Sequence, residues 1–529
     1  MLRVVGDSTE VAVSEDPRHF AAVDLGSNSF RLQIGRVIDD QIYPMDSIKE
    51  SVRLASGITS DKRLDEPAQQ RALAALSRFG ERLRGFDKST VRVVGTNALR
   101  VARNAPDFLP LAEKALGFPI EIIAGREEAR LIYVGVVHSL PPFDGPRLVV
   151  DIGGGSTEFI VGRQMKPLLL ESLYMGCVSY SERFFPGGKV DKKRFREAET
   201  MAGQEIERIA AAYGQVGWGE AVGSSGSARA IAELLEANGL NPGGVGGITW
   251  RGLESLRSLM IQAGSIDRLE LRNLPLERLP VLVGGVAILY AIFSGLGIER
   301  MKYAGGALRL GVLYDLLGRL HQRDMRDTTV RHFKRRYHVD LHQSARVEQA
   351  ARALFKQLNR HPCNLAVGTK EDQERENAWR FLQWAAALHE IGLSVAHSDY
   401  HKHGAYILAA ADMPGFSTED QERLAKIVLG QRGKLEKLAA LSKGNPLWTL
   451  IFCLRLAVLL CRSRDDRPFP EIHVGILPSG VGYEIELPDA WGETNPLSAA
   501  ALSDESALWR RVGIDFQIKY RPAHLVAIA

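Results

Sequence analysis

The chain is poor in cysteine: Cys177, Cys363, Cys453 and Cys461 are its only four in 529 residues, and no two form a C-x-x-C pair. That spacing argues against a disulfide framework and a cysteine zinc site, and suits a reducing compartment. Excess charge is lacking too: 67 Lys+Arg against 63 Asp+Glu leave a formal net charge of +4. A polyanion would have to be met by local clusters of cations. The glycine-rich turns hold no G-x-x-x-x-G-K-[ST] P-loop. The first twenty residues, MLRVVGDSTEVAVSEDPRHF, carry acids and no apolar centre, so they do not read as a secretory signal. Long apolar runs are scarce. Val281 to Ile298 is uncharged and 18 residues long, enough for a membrane span by length. Its four glycines, charged flanks and want of a partner span favour a buried helix instead. The run 447–460 carries Arg455 and reads as a second core helix. The expectation is a cytoplasmic protein with no transmembrane segment, at most peripheral at the inner membrane face.

A chain of this length exceeds one hydrophobic core and should split into domains. Its first third alternates strands and helices. Residues 21–26, 30–37, 90–96 and 120–125 read as strands, and 67–83 as an amphipathic helix. The pattern restarts with strands at 147–155 and 157–163, strand-to-loop points at 218–227 and 301–309, and a helix over 190–213. The two beginnings match: D-L-G-S-N-S at 24–29 and D-I-G-G-G-S at 151–156 share Asp-x-Gly-x-x-Ser. Such a repeat predicts two related α/β halves facing each other across a cleft. After about residue 318 the texture becomes basic and then helical, to about 460. The runs 471–477, 481–487 and 512–520 read as a small antiparallel sheet.

The repeated turns carry the chemistry. Gly26, Ser27, Asn28 and Ser29, and again Gly153, Gly154, Gly155 and Ser156, offer backbone N–H groups and hydroxyls unobstructed by large side chains. Groups of that kind cradle phosphate oxygens. Asp24 and Asp151 close apolar strands, where a carboxylate is costly unless a cation meets it. Mg²⁺ takes one or two carboxylates together with phosphate oxygens and water. Glu158, just past the second turn, is placed to reach the same ion.

AAVDLGSNSFRL (21–32), VVGTNALR (93–100), IEIIAGREEARLIYVGV (120–136), LVVDIGGGSTEFIVG (148–162), MGCVSYSERFFPGG (175–188) and GSSGSARA (223–230) resemble the exopolyphosphatase / guanosine pentaphosphate phosphohydrolase family. The resemblance spans the first 320 residues and runs more weakly through 388–408. It is strongest to the long, four-domain proteobacterial exopolyphosphatases. It implies an α/β fold of two duplicated actin-like (ribonuclease H-like) ATPase-fold halves, 1–133 and 134–318. An all-α HD-like domain, 319–415, and a small α+β domain, 416–529, would follow. It implies Mg²⁺-dependent, processive hydrolysis of terminal phosphate from inorganic polyphosphate. The alternative is guanosine pentaphosphate (pppGpp) cleaved to ppGpp. A sugar kinase or a sensing module on the same fold are the more distant rivals.

The resemblance also implies residue roles. Glu128 is the general base for the attacking water, a choice the residues alone leave open between it and Glu127, which reads as a solvated charge at a helix start. Arg100 holds phosphate in its planar fork. Asp151 and Glu158, with Asp24, carry Mg²⁺, and K⁺ is a candidate activator. The enteric members carry His where this chain has Asn97. Arg331, Lys334, Arg335 and Arg336, with Arg432, Lys434 and Lys437, are candidates for a polyphosphate path. His389, His397, His401 and His403 suggest an HD-type site made degenerate by His389-Glu390 in place of His-Asp, with a structural role. The expected assembly is a homodimer without nucleic acid.

Overall fold

Short runs of β-branched and apolar residues build the first sheet: β1 (His19–Leu25), β2 (Phe30–Ile38), β3 (Gln41–Glu50), β4 (Val91–Gly95) and β5 (Glu121–Ile122), in the order β3-β2-β1-β4-β5. The structure is a computed structural model, described for residues 19–38, 41–273, 278–320, 324–359, 370–465, 472–478 and 480–521. Cys363, the leading residues 1–18 and positions 321–323 of the basic stretch lie outside the described residues. Helices α1 (Glu66–Arg82), α2 (Asn97–Val101), α3 (Ala105–Leu116) and α4 (Gly125–Ser139) complete this half. Asp65 caps α1 by accepting from Ala68 N at 2.8 Å, and Ala68, Ala72, Ala75, Leu76 and Phe79 bury one face at helical spacing.

The second sheet repeats the first. β6 (Pro146–Ile152), β7 (Thr157–Arg163), β8 (Lys166–Leu173), β9 (Glu220–Gly223), β10 (Ile248–Thr249) and β11 (Arg300–Tyr303) are ordered β10-β11-β9-β6-β7-β8. In both sheets the first strand pairs antiparallel with the second and parallel with the fourth-placed one, β1 with β4 and β6 with β9. Both second-to-third pairings slip at a glycine, between Ile34 and Gly35 and between Val161 and Gly162. The repeat read from two short motifs thus extends to topology and to bulge position. The edge strand β3 escapes sequence reading because Pro44, Asp46 and Lys49 interrupt its alternation, as polar and proline residues do at sheet edges.

Helices α5 (Cys177–Phe184), α6 (Lys192–Val216), α7 (Gly226–Ala237), α8 (Trp250–Ala263), α9 (Leu279–Leu296) and α10 (Leu308–Leu320) follow in the second half. The uncharged run is α9, and Leu282, Val286, Leu289 and Phe293 are buried in the core of this half. Its glycines serve close approach: a Cβ at Gly284 would stand 2.7 Å from the Cys177 carbonyl on α5.

Helix α10 crosses back to pack on α4. A Cβ at Gly311 would lie 1.7 Å from the Leu131 carbonyl, and one at Gly135 2.1 Å from that of Ala307. Beside this contact Arg130 donates to Glu127 at 2.7 Å and to Asp315 at 2.5 Å, and Arg92 reaches Asp315 at 2.8 Å. Glu127 is 3% exposed. It is therefore not a solvated helix-start charge but one member of a buried ion network, whose partner Asp315 lies far along the chain. The flanking arginines hold the Asp315 carboxyl well below the ordinary range despite its burial.

The chain divides into two compact units, Met1–Asp324 and Met325–Ala529. The second holds α11 (Met325–Arg336), α12 (Leu341–Leu358), α13 (Lys370–Leu388), α14 (Tyr400–Ala410), α15 (Thr418–Gly430), α16 (Leu447–Leu460), α17 (Asp489–Thr494) and α18 (Pro496–Arg511). Arg455, in the apolar α16, is buried and satisfied by Glu505 and the carbonyls of Gly430 and Gly433. Its sheet, β12 (His473–Ile476), β13 (Gly482–Pro488) and β14 (Asp515–Arg521), is not wholly antiparallel. β12 and β13 are antiparallel, but β13 and β14 are parallel. The crossover helix α18 carries the chain back to the end at which β13 begins, so β14 runs parallel to β13 and not antiparallel as expected.

Candidate active site

Each hairpin brings its aspartate to the strand end and turns immediately. Asp24 pairs in register with Arg31, and Asp151 with Glu158. The turns share a local geometry: a Cβ on Gly26 would sit 3.0 Å from the Ser29 carbonyl, and one on Gly153 3.0 Å from that of Ser156. They also meet. A Cβ at Gly154 would lie 2.9 Å from Ser27 Cβ, and one at Gly155 2.4 Å from Asn97 Oδ1. None of these glycines has a positive φ; Gly26 and Gly153 are confined by their own turns, and Gly154 and Gly155 by the close approach of the facing segments. From the other side α5 seats the second loop, with Cys177 N and Val178 N donating to the carbonyls of Gly153 and Gly154.

Between the hairpins lies a cleft of about 470 Å³. Asp24, Gly26, Ser27, Asn28, Ser29, Glu128, Asp151, Gly153, Gly154 and Ser156 all line it. Gly155 and Glu158 stand just behind the wall, Glu158 being 1% exposed with Oε1 accepting from Ser172 Oγ at 2.8 Å. Arg100 also stands behind. Its guanidinium donates to the Ile123 carbonyl at 2.8 Å and to Glu128 Oε2 at 3.3 Å, so it touches the candidate base.

Sequence reading missed several cleft groups. Arg31, Lys49, Arg278 and Arg309 line the wall, as do Ser224 to Ser227 at the start of α7. Ser225 caps that helix, and Ser224 Oγ donates to Asp151 Oδ2 at 2.6 Å. A twelve-residue helix thus opens on the cleft with its positive dipole end, a setting that favours anions. Two signals were available: Arg31 falls opposite Asp24 in any hairpin with this turn length, and GSSGSARA follows an apolar strand.

Electrostatics distinguish the carboxylates. Burial pushes Asp24 up to about 6, against the pull of Arg309 and Arg31. Burial pushes Glu128 up to about 7, with Arg100 pulling it down and Asp24 and Asp151 pushing it further up. Glu158 is driven well above the ordinary carboxylate range by burial and by Glu128 and Asp151. Asp151 is raised by burial and partly relieved by Ser224. Carboxylates crowded in a buried place oppose one another's ionisation, and a hard divalent cation relieves that opposition. Among the described residues no three His, Cys, Asp or Glu side chains group closely enough to hold a metal alone. The carboxylates on the cleft wall, Asp24, Glu128 and Asp151, could give a hard divalent cation one or two ligands, leaving its other positions to other donors.

In the second unit, His389 is fully buried with Nδ1 2.8 Å from the Ala386 carbonyl, His401 is buried, and His397 is exposed. Among the described residues no three of these histidines and nearby acids group closely enough to hold a metal. Arg331, Arg335, Arg336, Arg432 and Lys434 are exposed.

Residues 33–320 match the Ppx/GppA phosphatase family, and 325–506 match domain III of Ppx/GppA phosphatases. The guanosine-5'-triphosphate,3'-diphosphate pyrophosphatase of Pseudoalteromonas translucida is 37% identical over 497 residues, covering 93% of this chain and 97% of that protein. The protein of the same name from Aeromonas hydrophila is 36% identical over 507 residues, covering 93% and 97%. The crystal structure of an exopolyphosphatase from Cytophaga hutchinsonii superposes with a TM-score of 0.51 at 23% identity, covering 57% of this chain and 98% of that one, a likeness of fold.

Proposed function

We propose, because the chain belongs to the Ppx/GppA phosphatase family, that it hydrolyses the terminal 5'-phosphoanhydride of pppGpp, giving ppGpp and phosphate. The chemistry rests on the meeting of the two hairpins with Glu128 on the wall between them. The choice of substrate rests on the names of relatives that match nearly the whole chain. Those names reverse the order read from the motifs, which put polyphosphate first. The groups at the hairpins read phosphate and not nucleoside, so a linear polyphosphate remains the second reading.

In this account Ser27, Asn28, Ser29 and Ser156, with the glycine backbones and Arg31, hold the terminal phosphates. Glu128 orients a water on the far side of the last phosphorus and accepts its proton as the new P–O bond forms. The bond to the bridging oxygen breaks and the nucleotide leaves with that oxygen. Phosphoryl transfer depends mostly on such positioning and on charge neutralisation. Arg100 holds Glu128 from behind and favours its ionised form. Asp151 and Glu158, with Asp24 nearby, would hold Mg²⁺, which when bound neutralises phosphate charge.

The test is phosphate release by the purified chain from pppGpp and from long-chain polyphosphate, with and without Mg²⁺, beside Glu128→Gln. The account expects a higher kcat/KM for pppGpp and Mg²⁺ dependence. Release from polyphosphate alone would hand the assignment to the second reading, and release from neither would end both.

A further inference from the structure

The cleft wall is not made by the hairpins alone; part of it is one face of helix α7. Helix α7 turns Gly226, Arg229, Ala230 and Glu233 toward the cleft, the spacing of a single helical face. Glu233 lies seven residues beyond Gly226, about 10 Å further along the axis from the helix start. There Arg229 Nε donates to Glu233 Oε1 at 2.7 Å, with the side chains 62% and 44% exposed. Tyr303, at the end of β11, lines the cleft within electrostatic reach of this pair and of Asp151 and Arg31 at the hairpins, so it stands between the two. An exposed pair of this kind contributes little to stability, so folding alone gives small reason for it to stand here.

We infer that Arg229 and Glu233 read the base of a guanosine substrate, Arg229 donating to O6 and Glu233 accepting from N1–H and N2–H. Guanine places an acceptor beside two donors along that edge. Adenine reverses the order, with its N6 amino donor beside the N1 acceptor. A guanidinium next to a carboxylate matches the first order and opposes the second. Tyr303 supplies an aromatic surface at the same wall for the base to contact. The triphosphate then runs back along α7, past its N-terminus, to the hairpins. The inference rests on the pppGpp reading and adds the part of the cleft that separates guanosine from adenosine.

The experiment measures kcat/KM of the wild type, Arg229→Ala and Glu233→Ala on pppGpp and on the adenosine compound bearing the same phosphates. Binding of GDP and ADP to Glu128→Gln, alone and combined with each substitution, is measured by calorimetry. The wild type should favour guanosine by at least about tenfold, the lower range for a two-bond base contact. Each substitution should lower guanosine kcat/KM by about ten- to a hundredfold, through KM and not kcat, and bring the guanosine-to-adenosine ratio near one. Both side chains are exposed, and unchanged Tm values separate lost reading from lost folding. A selectivity ratio that survives both substitutions, or a wild type indifferent to the base, overturns the inference. If pppGpp is not hydrolysed, the proposed function fails separately. A GDP-over-ADP preference that disappears in both variants would then still support base reading, and no such preference would overturn it.

Discussion

The two hairpins that meet in the cleft share a backbone and differ in one opposed pair. Both end a buried strand on aspartate, turn through a glycine and close on serine, and both glycines crowd the serine carbonyl at the same 3.0 Å. Yet Asp24 stands opposite Arg31, whereas Asp151 stands opposite Glu158. The first hairpin thus sets a guanidinium on the cleft wall opposite its aspartate. The second sets two carboxylates side by side, both raised above the ordinary range by burial first. The two copies of the turn therefore differ in one opposed charge, and on the function proposed above that difference would divide their labour. Glu128 stands between, raised chiefly by burial and further by the aspartates of both copies.

Breaking the centre should cost most. Glu128→Gln is expected to lose at least about 10²-fold in kcat, the low end for a general base, while substrate binding is retained in an equilibrium titration. Next comes the second hairpin: Glu158→Gln should raise the Mg²⁺ concentration for half-maximal phosphate release by about 10–100-fold, the range for losing a group that holds or supports a metal. The first hairpin should respond differently. Arg31→Met should raise KM by about tenfold, as for one charged hydrogen bond, with the Mg²⁺ requirement little altered. If both variants shift the metal requirement alike, the division of labour is wrong.

The smallest effect concerns pH. The folded pKa values of Asp24 and Glu128 are raised to about 6 and about 7 from ordinary values of 3.8 and 4.5. Stability from these groups is therefore full below the ordinary values and is lost as pH rises through 6 and 7, because the folded state binds the extra protons. A cation among the carboxylates cancels that loss. Mg²⁺ should raise Tm by a few degrees more at pH 8 than at pH 5, and by less in Glu158→Gln. Equal gains at the two pH values would contradict the placement of charge.

Much of this comparison was legible before any coordinates. Asp-x-Gly-x-x-Ser is a local signal, and a strand–turn–strand around it leaves little freedom, so both loops and the duplicated sheet followed from it. The asymmetry was one step further off: the turn length itself sets Arg31 against Asp24 and Glu158 against Asp151. Glu127 was not legible, because its environment is made by Asp315 on a helix that returns from the second half. Arg278 and Arg309 reach the cleft from distant segments for the same reason. The direction of β14 depended on α18, whose apolar positions Leu502 and Trp509 face the core but give a weak pattern within a polar helix. Local chemistry could be read from sequence, while partners supplied across long chain separations could not.

The central claim is tested most directly by a crystal structure of Glu128→Gln with pppGpp and Mn²⁺, the metal located by its anomalous signal. The account predicts metal density on the Asp151–Glu158 side, the terminal phosphate between the two turns with Arg31 against it, and a water held by residue 128. Metal density beside Arg31, or a terminal phosphate away from both turns, would contradict it.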